Sequence, residues 1–221
     1  SIQLMVGFPG ETMSMVMDTI EVAREMDLDW CRISPLQPLP NTPIYDSMVA
    51  QGLIDDVGSS EVRFAAGAFG KQVEIEQGLR LATADFERAF AAIGLDEVPD
   101  SDQITDIWFY MNYHLNFHRL FHEDRPAKVD QQIATLINLS DVVAPENAFA
   151  LYFLGFFSQQ KDGSIPASVI ERLQSRLDTS EYWQSRFAAF GLAVDDLRRN
   201  DFKNKHIPRL LPKGYSNTWA A

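Results

Sequence analysis

The sequence predicts a short α/β segment followed by a mainly helical domain. The apolar run Ile2–Val6 is typical of a buried strand, because parallel strands covered on both faces lose the alternation of polar and apolar residues. One apolar stripe at helical spacing predicts a helix over 13–27, and residues 30–34 are predicted to form a second strand. Beyond that strand, helical periodicity dominates the chain.

The carboxyl-terminal domain is predicted to be almost entirely helical. The turn-rich residues 55–60 are the best boundary, which divides the chain into 1–58 and 59–221. A loop over 64–71 and a short strand near Val73 precede the main helical region. The helices predicted after the second strand cover 45–51, 76–93, 104–121, 129–138, 146–159, 165–177, 180–190 and Val194–Arg199. Their short connections indicate an antiparallel helical bundle or hairpin array.

A glycine turn links the first predicted strand to the first predicted helix. Gly7 and Gly10 let the backbone turn sharply and approach a ligand closely, which a Cβ would obstruct. Thr12 is a predicted N-cap, and the free N–H groups at the start of the helix can meet polar or anionic atoms. A tight turn without a ligand would carry the same residues, so the pattern leaves both interpretations open.

A stiff, extended loop is predicted after the second strand. Four prolines fall within nine residues there: Pro35, Pro38, Pro40 and Pro43. Asn41 lies among them and tolerates a left-handed conformation, so a turn is expected at this residue. Gly52 is expected just beyond the end of helix 45–51.

Two motifs in the α/β segment resemble a known family. GFPGET at 7–12 and PLPNTPIY at 38–45, separated by a helix and a short strand, resemble the late part of a radical S-adenosylmethionine enzyme barrel. The most similar members carry a cobalamin-binding domain or are methylthiotransferase-like. The resemblance covers about 1–54 and implies that this segment is the late part of a partial (β/α) barrel.

The resemblance also implies a cofactor site. It implies that four residues lie on the adenosyl side of S-adenosylmethionine: Gly7, Pro9, Gly10 and Glu11. Arg32 and Ser34, with Leu36 beyond the strand, would face the barrel interior if side chains alternate as usual. From the residues alone, Glu11 could instead stabilise the helix dipole, and Arg32 could form an ion pair with Glu11 or Asp29.

The enzyme that this resemblance implies would cleave S-adenosylmethionine reductively to a 5′-deoxyadenosyl radical, or transfer a methyl group through cobalamin, and would act on a small substrate. It requires an iron–sulfur (4Fe-4S) cluster, but the family motif C-x3-C-x2-C is absent. Cys31 is the only cysteine, whereas a cluster takes about three or four thiolates.

We therefore expect this chain to be the C-terminal portion of a larger enzyme and to be inactive alone. The cluster ligands would lie in upstream domains of the same polypeptide or in a partner chain. No catalytic residue is predicted. The alternative is a non-catalytic helical interaction module that retains a vestige of the barrel.

Histidines recur every four residues in the predicted helix 104–121 and just after it. His114, His118 and His122 would share one helical face, and imidazoles at that spacing can bind a transition metal. Three ligands along a straight helix would span about 12 Å at about 1.5 Å per residue, so at most two adjacent histidines could chelate one ion. A metal-binding helical protein is thus a second alternative, and the favoured interpretation is a face of half-buried histidines.

Composition excludes several other classes. The net charge of −12 disfavours sequence-independent binding to nucleic acid, because phosphates would be repelled. No apolar run approaches the roughly 18 residues that indicate a membrane span, and a single cysteine allows no intramolecular disulfide. We expect a cytoplasmic protein. The sequence contains no phosphate-binding loop of the G-x-x-x-x-G-K-[ST] type and no G-x-S-x-G nucleophile elbow.

Overall fold

The computed structural model describes residues 2–36, 38–52 and 86–216. These residues form a mainly helical fold with a two-stranded parallel sheet near the amino terminus. The elements are β1 (Ile2–Val6), α1 (Met13–Glu25), β2 (Cys31–Pro35), α2 (Pro43–Ala50), α3 (Phe86–Ala91), α4 (Ser101–Asn112), α5 (Pro126–Asn138), α6 (Ala148–Asp162), α7 (Ala167–Thr179), α8 (Glu181–Phe190) and α9 (Val194–Arg199).

Part of the predicted organisation lies outside the described residues. This part comprises the boundary at 55–60, the loop over 64–71, the strand near Val73 and the first half of helix 76–93. The division into two domains therefore stays a prediction. On either side of the gap, the buried residues belong to one continuous hydrophobic cluster.

The two strands are parallel and in register, with Ile2 opposite Cys31 and Val6 opposite Pro35. The pairing extends one residue beyond the strands, because Leu36 N donates to Val6 O at 2.7 Å. One face of this sheet packs into the core, whereas the opposite face is exposed or half-buried. The exposed face carries Gln3, Met5, Arg32 and Ser34.

Side chains from the α4 region close the outer edge of β2. The side-chain amide of Asn116 accepts a hydrogen bond from Cys31 N at 2.8 Å and donates one to Cys31 O at 3.0 Å. Trp108 Nε1 donates to Ile33 O at 2.8 Å. Pro35 has no N–H to donate, and proline within sheets is commonly found on edge strands for this reason. Within the part of the chain that the structure describes, β2 is therefore a terminal strand.

The first helix was predicted well, apart from its last two residues. Its apolar stripe is buried as expected, from Met13 to Ala23, and the Oγ1 of Thr12 caps it by accepting from Met15 N at 3.4 Å. Asp27 adopts a left-handed conformation with φ of 45°, which ends the helix before the predicted limit. A second set of apolar side chains, on α1 and on its C-cap residue Met26, is exposed: Met15 at 54%, Val22 at 53% and Met26 at 50%.

The single helix predicted over 104–121 is wrong in its second half. Regular α-helix stops at Asn112, and the chain continues through a π-helical turn (Tyr113–Phe117) into a 3₁₀ turn (His118–His122). All five residues of the π-helical turn are buried. Because this segment is buried on every side, its sequence shows no amphipathic period. Within the wider π-helical turn, the side chain of Asn116 contacts β2.

Aromatic rings from α4 to α8 fill the centre of the helical region. Tyr113 stacks on Phe190 with ring centroids 3.7 Å apart, and Phe149 contacts both. The cluster also contains a fully buried cation, Arg186. Its guanidinium lies 3.7 Å from the ring centroid of Tyr182. Aromatic faces attract guanidinium groups, which partly offsets the loss of hydration.

Turn residues mostly take the conformations that the sequence predicted. Asn41 has φ of 65° and Gly52 has φ of 68°, both left-handed. The helix predicted over 146–159 does not begin at its predicted first residue. The Oδ1 of Asn147 accepts from Ala150 N at 3.0 Å, and this stronger cap sets the start of α6 two residues later.

Candidate functional site

The glycine turn requires its two glycines for different reasons. Gly7 has φ of 94° and Gly10 has φ of 78°, a region that other residues rarely adopt. A Cβ on Gly7 would also lie 3.2 Å from the Cδ1 of Ile104 in α4. A Cβ on Gly10 would meet no atom within 4 Å. The close approach at Gly7 is thus to the protein's own helix, and Gly10 leaves open space.

The start of α1 is occupied by the protein itself. Met13 N donates to Glu97 O at 3.1 Å, and Ser14 N donates to Leu95 O at 2.8 Å. The next N–H group, that of Met15, is bound by the N-cap threonine. The polar atoms that these N–H groups meet are thus backbone carbonyls of Leu95 and Glu97, which favours the interpretation of a tight turn without a ligand.

Glu11 binds its own turn. Its Oε2 accepts from Gly7 N at 2.6 Å and from Phe8 N at 3.2 Å. The carboxylate therefore fixes the loop between β1 and α1, instead of acting on the dipole of α1 from inside its first turn. Pro9 is half-buried within the same loop. A cofactor role for these residues stays a prediction.

Arg32 and Ser34 lie where the alternation of the strand placed them. Both side chains are on the exposed face of the sheet, and Arg32 is well exposed. Arg32 forms no ion pair with a described residue, and Asp29 instead binds Lys128. Leu36, beyond the strand, is buried. Two polar groups therefore remain directed away from the core. Ser34 lies near the carboxyl end of β2, where α/β folds commonly bind ligands, and Arg32 lies near its amino end.

The four histidines of the chain form one continuous row. Ring centroids are 5.2 Å apart for His114 and His118, 6.1 Å for His118 and His122, and 5.7 Å for His122 and His206. The row begins deep in the core, where His114 and His118 are almost fully buried, and ends at exposed residues. The sequence placed the first three on one face, and the structure adds His206 from the carboxyl-terminal segment.

Burial keeps the inner part of this row, His114 and His118, uncharged at neutral pH. It lowers the pKa of His118 to about 3 and lowers the pKa of His114 well below its ordinary value. The positive charge of Arg24 acts in the same direction on both. Among the residues that the structure describes, no group of three or more His, Cys, Asp or Glu side chains is arranged to hold a metal ion. The metal-binding alternative has no support from this geometry.

Cys31 does not fit an iron–sulfur cluster. The thiol is buried at the start of β2, and this burial raises its pKa. Cluster ligation needs exposed space for the inorganic core and about three or four thiolates. The backbone of Cys31 instead anchors Asn116.

Sequence analysis missed the residues that join the sheet to the helices, and it missed the arginines beneath them. Asn116 and Trp108 hold the edge of β2, which no periodicity could reveal. Arg24 and Arg119 are half-buried beside the start of β2. For Arg24 a signal existed: it follows Ile20 by four residues, so helical spacing places it on the buried side of α1.

Comparison with known proteins assigns no family: no family model matches the chain, and neither the curated proteins nor the solved structures show a significant match. In the ranges 2–36, 38–52 and 86–216, no helix has both the length and the apolar composition that crossing a bilayer requires.

Proposed function

We propose that this chain is the closing end of a partial (β/α) barrel in a radical S-adenosylmethionine enzyme, with the helical region sealing the last strand. The observation that carries the proposal is an asymmetry of the sheet. The outer edge of β2 is closed by Asn116 and Trp108, whereas β1 pairs with no described strand on its other side.

The free edge of β1 can be assigned from the ladder. In a parallel pair, alternate residues of a strand direct both backbone groups to the same neighbour. Val6 O accepts from Leu36 N, so Val6 and Leu4 bond to β2. The N–H and C=O groups of Gln3 and Met5 therefore point to the opposite edge. Parallel strands seldom leave an edge exposed, and another strand is the natural partner.

The exposed side chains of α1 support the same arrangement. Met15, Val22 and Met26 are separated by seven and four residues, so they form a stripe along the helix. In a (β/α) barrel, each outer helix packs against helices on both sides. Such a stripe is the surface that a preceding helix would cover.

The exposed face of the sheet would then line the barrel interior. Arg32 can donate a bidentate hydrogen bond to a carboxylate, and Ser34 can bind a hydroxyl or an amine. Bound S-adenosylmethionine and its cluster would supply the radical. The contribution of this chain is to bind and orient a ligand on this face, because Cys31 cannot hold the cluster and its ligands must come from elsewhere.

The test uses the complete gene product, purified without oxygen. Incubation with a reductant and S-adenosylmethionine should form 5′-deoxyadenosine, and the protein should contain iron. Arg32→Ala should lower this rate by about tenfold or more through loss of a charge-assisted hydrogen bond, with unchanged iron content. The matched control is Arg199→Ala, because the Arg199 side chain is 75% exposed and lies in α9. Absence of both iron and 5′-deoxyadenosine would refute the enzymatic proposal.

A non-catalytic interaction module is the second candidate. It is favoured by the occupied start of α1 and by Glu11, whose carboxylate is already bound by the turn. In that case the edge of β1 and the stripe on α1 would still bind a partner. Val22→Asp would then weaken the association measured by light scattering, while no variant would affect any reaction of S-adenosylmethionine.

A further inference from the structure

A cavity lies in the helical region, between the 3₁₀ turn, the start of α5 and the end of α6. Its volume of about 670 Å³ suits a small organic ligand, because small-molecule sites commonly have volumes of about 300–1,000 Å³. Its apolar wall is formed by Phe121, Pro126, Val129, Phe156 and Phe157. None of the residues that line it belongs to the sheet or to the glycine turn.

The aromatic part of the wall is fixed by ring contacts. The ring of Phe156 lies edge-to-face against Phe121, with centroids 5.1 Å apart, and 5.3 Å from Phe157. Phe202 from the carboxyl-terminal segment packs against Phe156 at 4.9 Å. Aromatic faces attract cations, so this wall favours a ligand that is both apolar and positively charged.

The charged groups that line the cavity are mainly acidic. Glu123, Asp124 and Asp130 are the carboxylates, and Lys161 is the one lysine or arginine among the described lining residues. Lys161 binds Asp130 at 2.6 Å. His122 also lines the cavity, and burial lowers its pKa, so it does not add a positive charge at neutral pH.

The wider surroundings do not reverse this sign. Arg125 binds Glu123 at 2.6 and 2.8 Å, but it also binds Asp27 at 2.7 Å and is shared by two acids. We therefore counted every carboxylate, lysine and arginine that acts on a lining group or on its partner. The carboxylates are Asp27, Asp29, Glu123, Asp124, Asp130 and Asp162, and the cations are Arg24, Arg119, Arg125, Lys128 and Lys161.

Asp124 is the carboxylate that a ligand can use. It forms no hydrogen bond and no ion pair with a described residue, whereas Glu123 and Asp130 are each bound by a cation. Its side chain is exposed at the rim of the cavity. Because Asp124 and the aromatic rings line the same space, one ligand can place a cationic group at the carboxylate and an apolar body against the rings.

We propose that this cavity binds a small organic amine, with its ammonium group at Asp124 and its apolar body against Phe121 and Phe156. The net charge of −12 supports this choice, because the chain as a whole attracts cations. The inference does not depend on the radical S-adenosylmethionine proposal, since the cavity and the sheet share no residue.

The test is calorimetric titration of the full chain with 2-phenylethylammonium chloride and, separately, with benzyltrimethylammonium chloride. We expect saturable binding of one ion per chain, and the tighter of the two shows whether the site prefers a primary or a quaternary amine. 2-Phenylethanol has the same aromatic body without the charge, and it should bind at least about threefold more weakly. Phenylacetate should bind more weakly still. Sodium chloride keeps the ionic strength equal in all titrations.

Three variants at exposed residues separate a local carboxylate from the overall charge. Asp124→Asn should weaken amine binding by about three- to fivefold and leave 2-phenylethanol unaffected. Asp18→Asn changes the net charge equally but lies on α1, and it should bind the amine as the unaltered protein does. Gln160→Glu adds a carboxylate to the lining and should tighten amine binding. Circular dichroism verifies the fold of each variant.

Nuclear magnetic resonance locates the bound amine. Nuclear Overhauser effects from the ligand ring should reach the methyl groups of Val129, which lines the cavity. The proposal fails if neither amine binds saturably up to about 10 mM, or if the amines bind no tighter than 2-phenylethanol. It also fails if Asp124→Asn weakens binding no more than Asp18→Asn does, or if the bound ligand shows no such effect at Val129.

Discussion

Replacing Asn116 by leucine should cost a large part of the stability of this fold. Asn116 is fully buried and its amide makes three hydrogen bonds, at 2.8 Å and 3.0 Å to the backbone of Cys31 and at 3.2 Å to Asn112. Leucine has a similar shape but can neither donate nor accept. The substitution therefore leaves both backbone groups of Cys31 buried without a partner.

The magnitude follows from those two groups. An unsatisfied buried donor or acceptor costs about 1–3 kcal/mol, so Asn116→Leu should lower the free energy of unfolding by about 2–6 kcal/mol. The extra apolar burial of leucine offsets part of this, and we expect a value near the middle of the range. Domains are commonly stable by about 5–15 kcal/mol, so the variant should be measurably weakened.

Urea unfolding, followed by circular dichroism, measures this change. The control is Asn138→Leu at an exposed residue of α5, which should change the free energy by less than about 0.5 kcal/mol. Hydrogen exchange at the Cys31 amide should accelerate in Asn116→Leu and not in the control. A loss below about 0.5 kcal/mol for Asn116→Leu would show that the helical region does not depend on this contact with β2.

Two further predictions concern acid and the glycine turn. His118 has a pKa of about 3 in the folded chain against an ordinary 6.5, so its contribution to stability is complete above pH 6.5 and is lost progressively as the pH falls toward 3. Urea unfolding should show this loss with a slope that steepens below pH 6.5 toward about 1.4 kcal/mol per pH unit, and His118→Gln should remove this part of the slope while the part from His114 remains. Gly10→Ala should cost about 1–2 kcal/mol through its left-handed backbone alone, and Gly7→Ala should cost more because its Cβ would also contact Ile104. Equal costs in thermal unfolding would contradict that distinction.

Elements whose signal is local could be predicted from the sequence. α9 begins and ends at the predicted residues, and β1 also matches its prediction. The buried stripe of α1 follows from spacing, because one face of that helix meets the core and the other meets water. Thr12 caps as expected, since its hydroxyl is the best acceptor beside the first turn.

Elements determined by distant contacts could not be predicted from the sequence. The π-helical turn Tyr113–Phe117 is buried on all sides, so its sequence carries no amphipathic period. The occupation of the α1 start by carbonyls of residues 95–97 joins segments more than eighty residues apart, and no local pattern encodes it. The same holds for Arg119, whose donor geometry depends on Asp29. Sequence reasoning thus placed Arg32 and Ser34 on one face of β2, but it could not foresee the contacts of Asn116 and Trp108 with the edge of that strand.

Hydrogen exchange at single amides of β1 tests the central claim most directly, by comparing this 221-residue chain alone with the longer polypeptide that the proposal requires. The amides of Leu4 and Val6 bond to β2 and should be protected in both. If a further parallel strand binds the free edge, the amides of Gln3 and Met5 should exchange rapidly in the chain alone and be protected in the complete protein. Rapid exchange of Gln3 and Met5 in both samples would contradict the barrel arrangement.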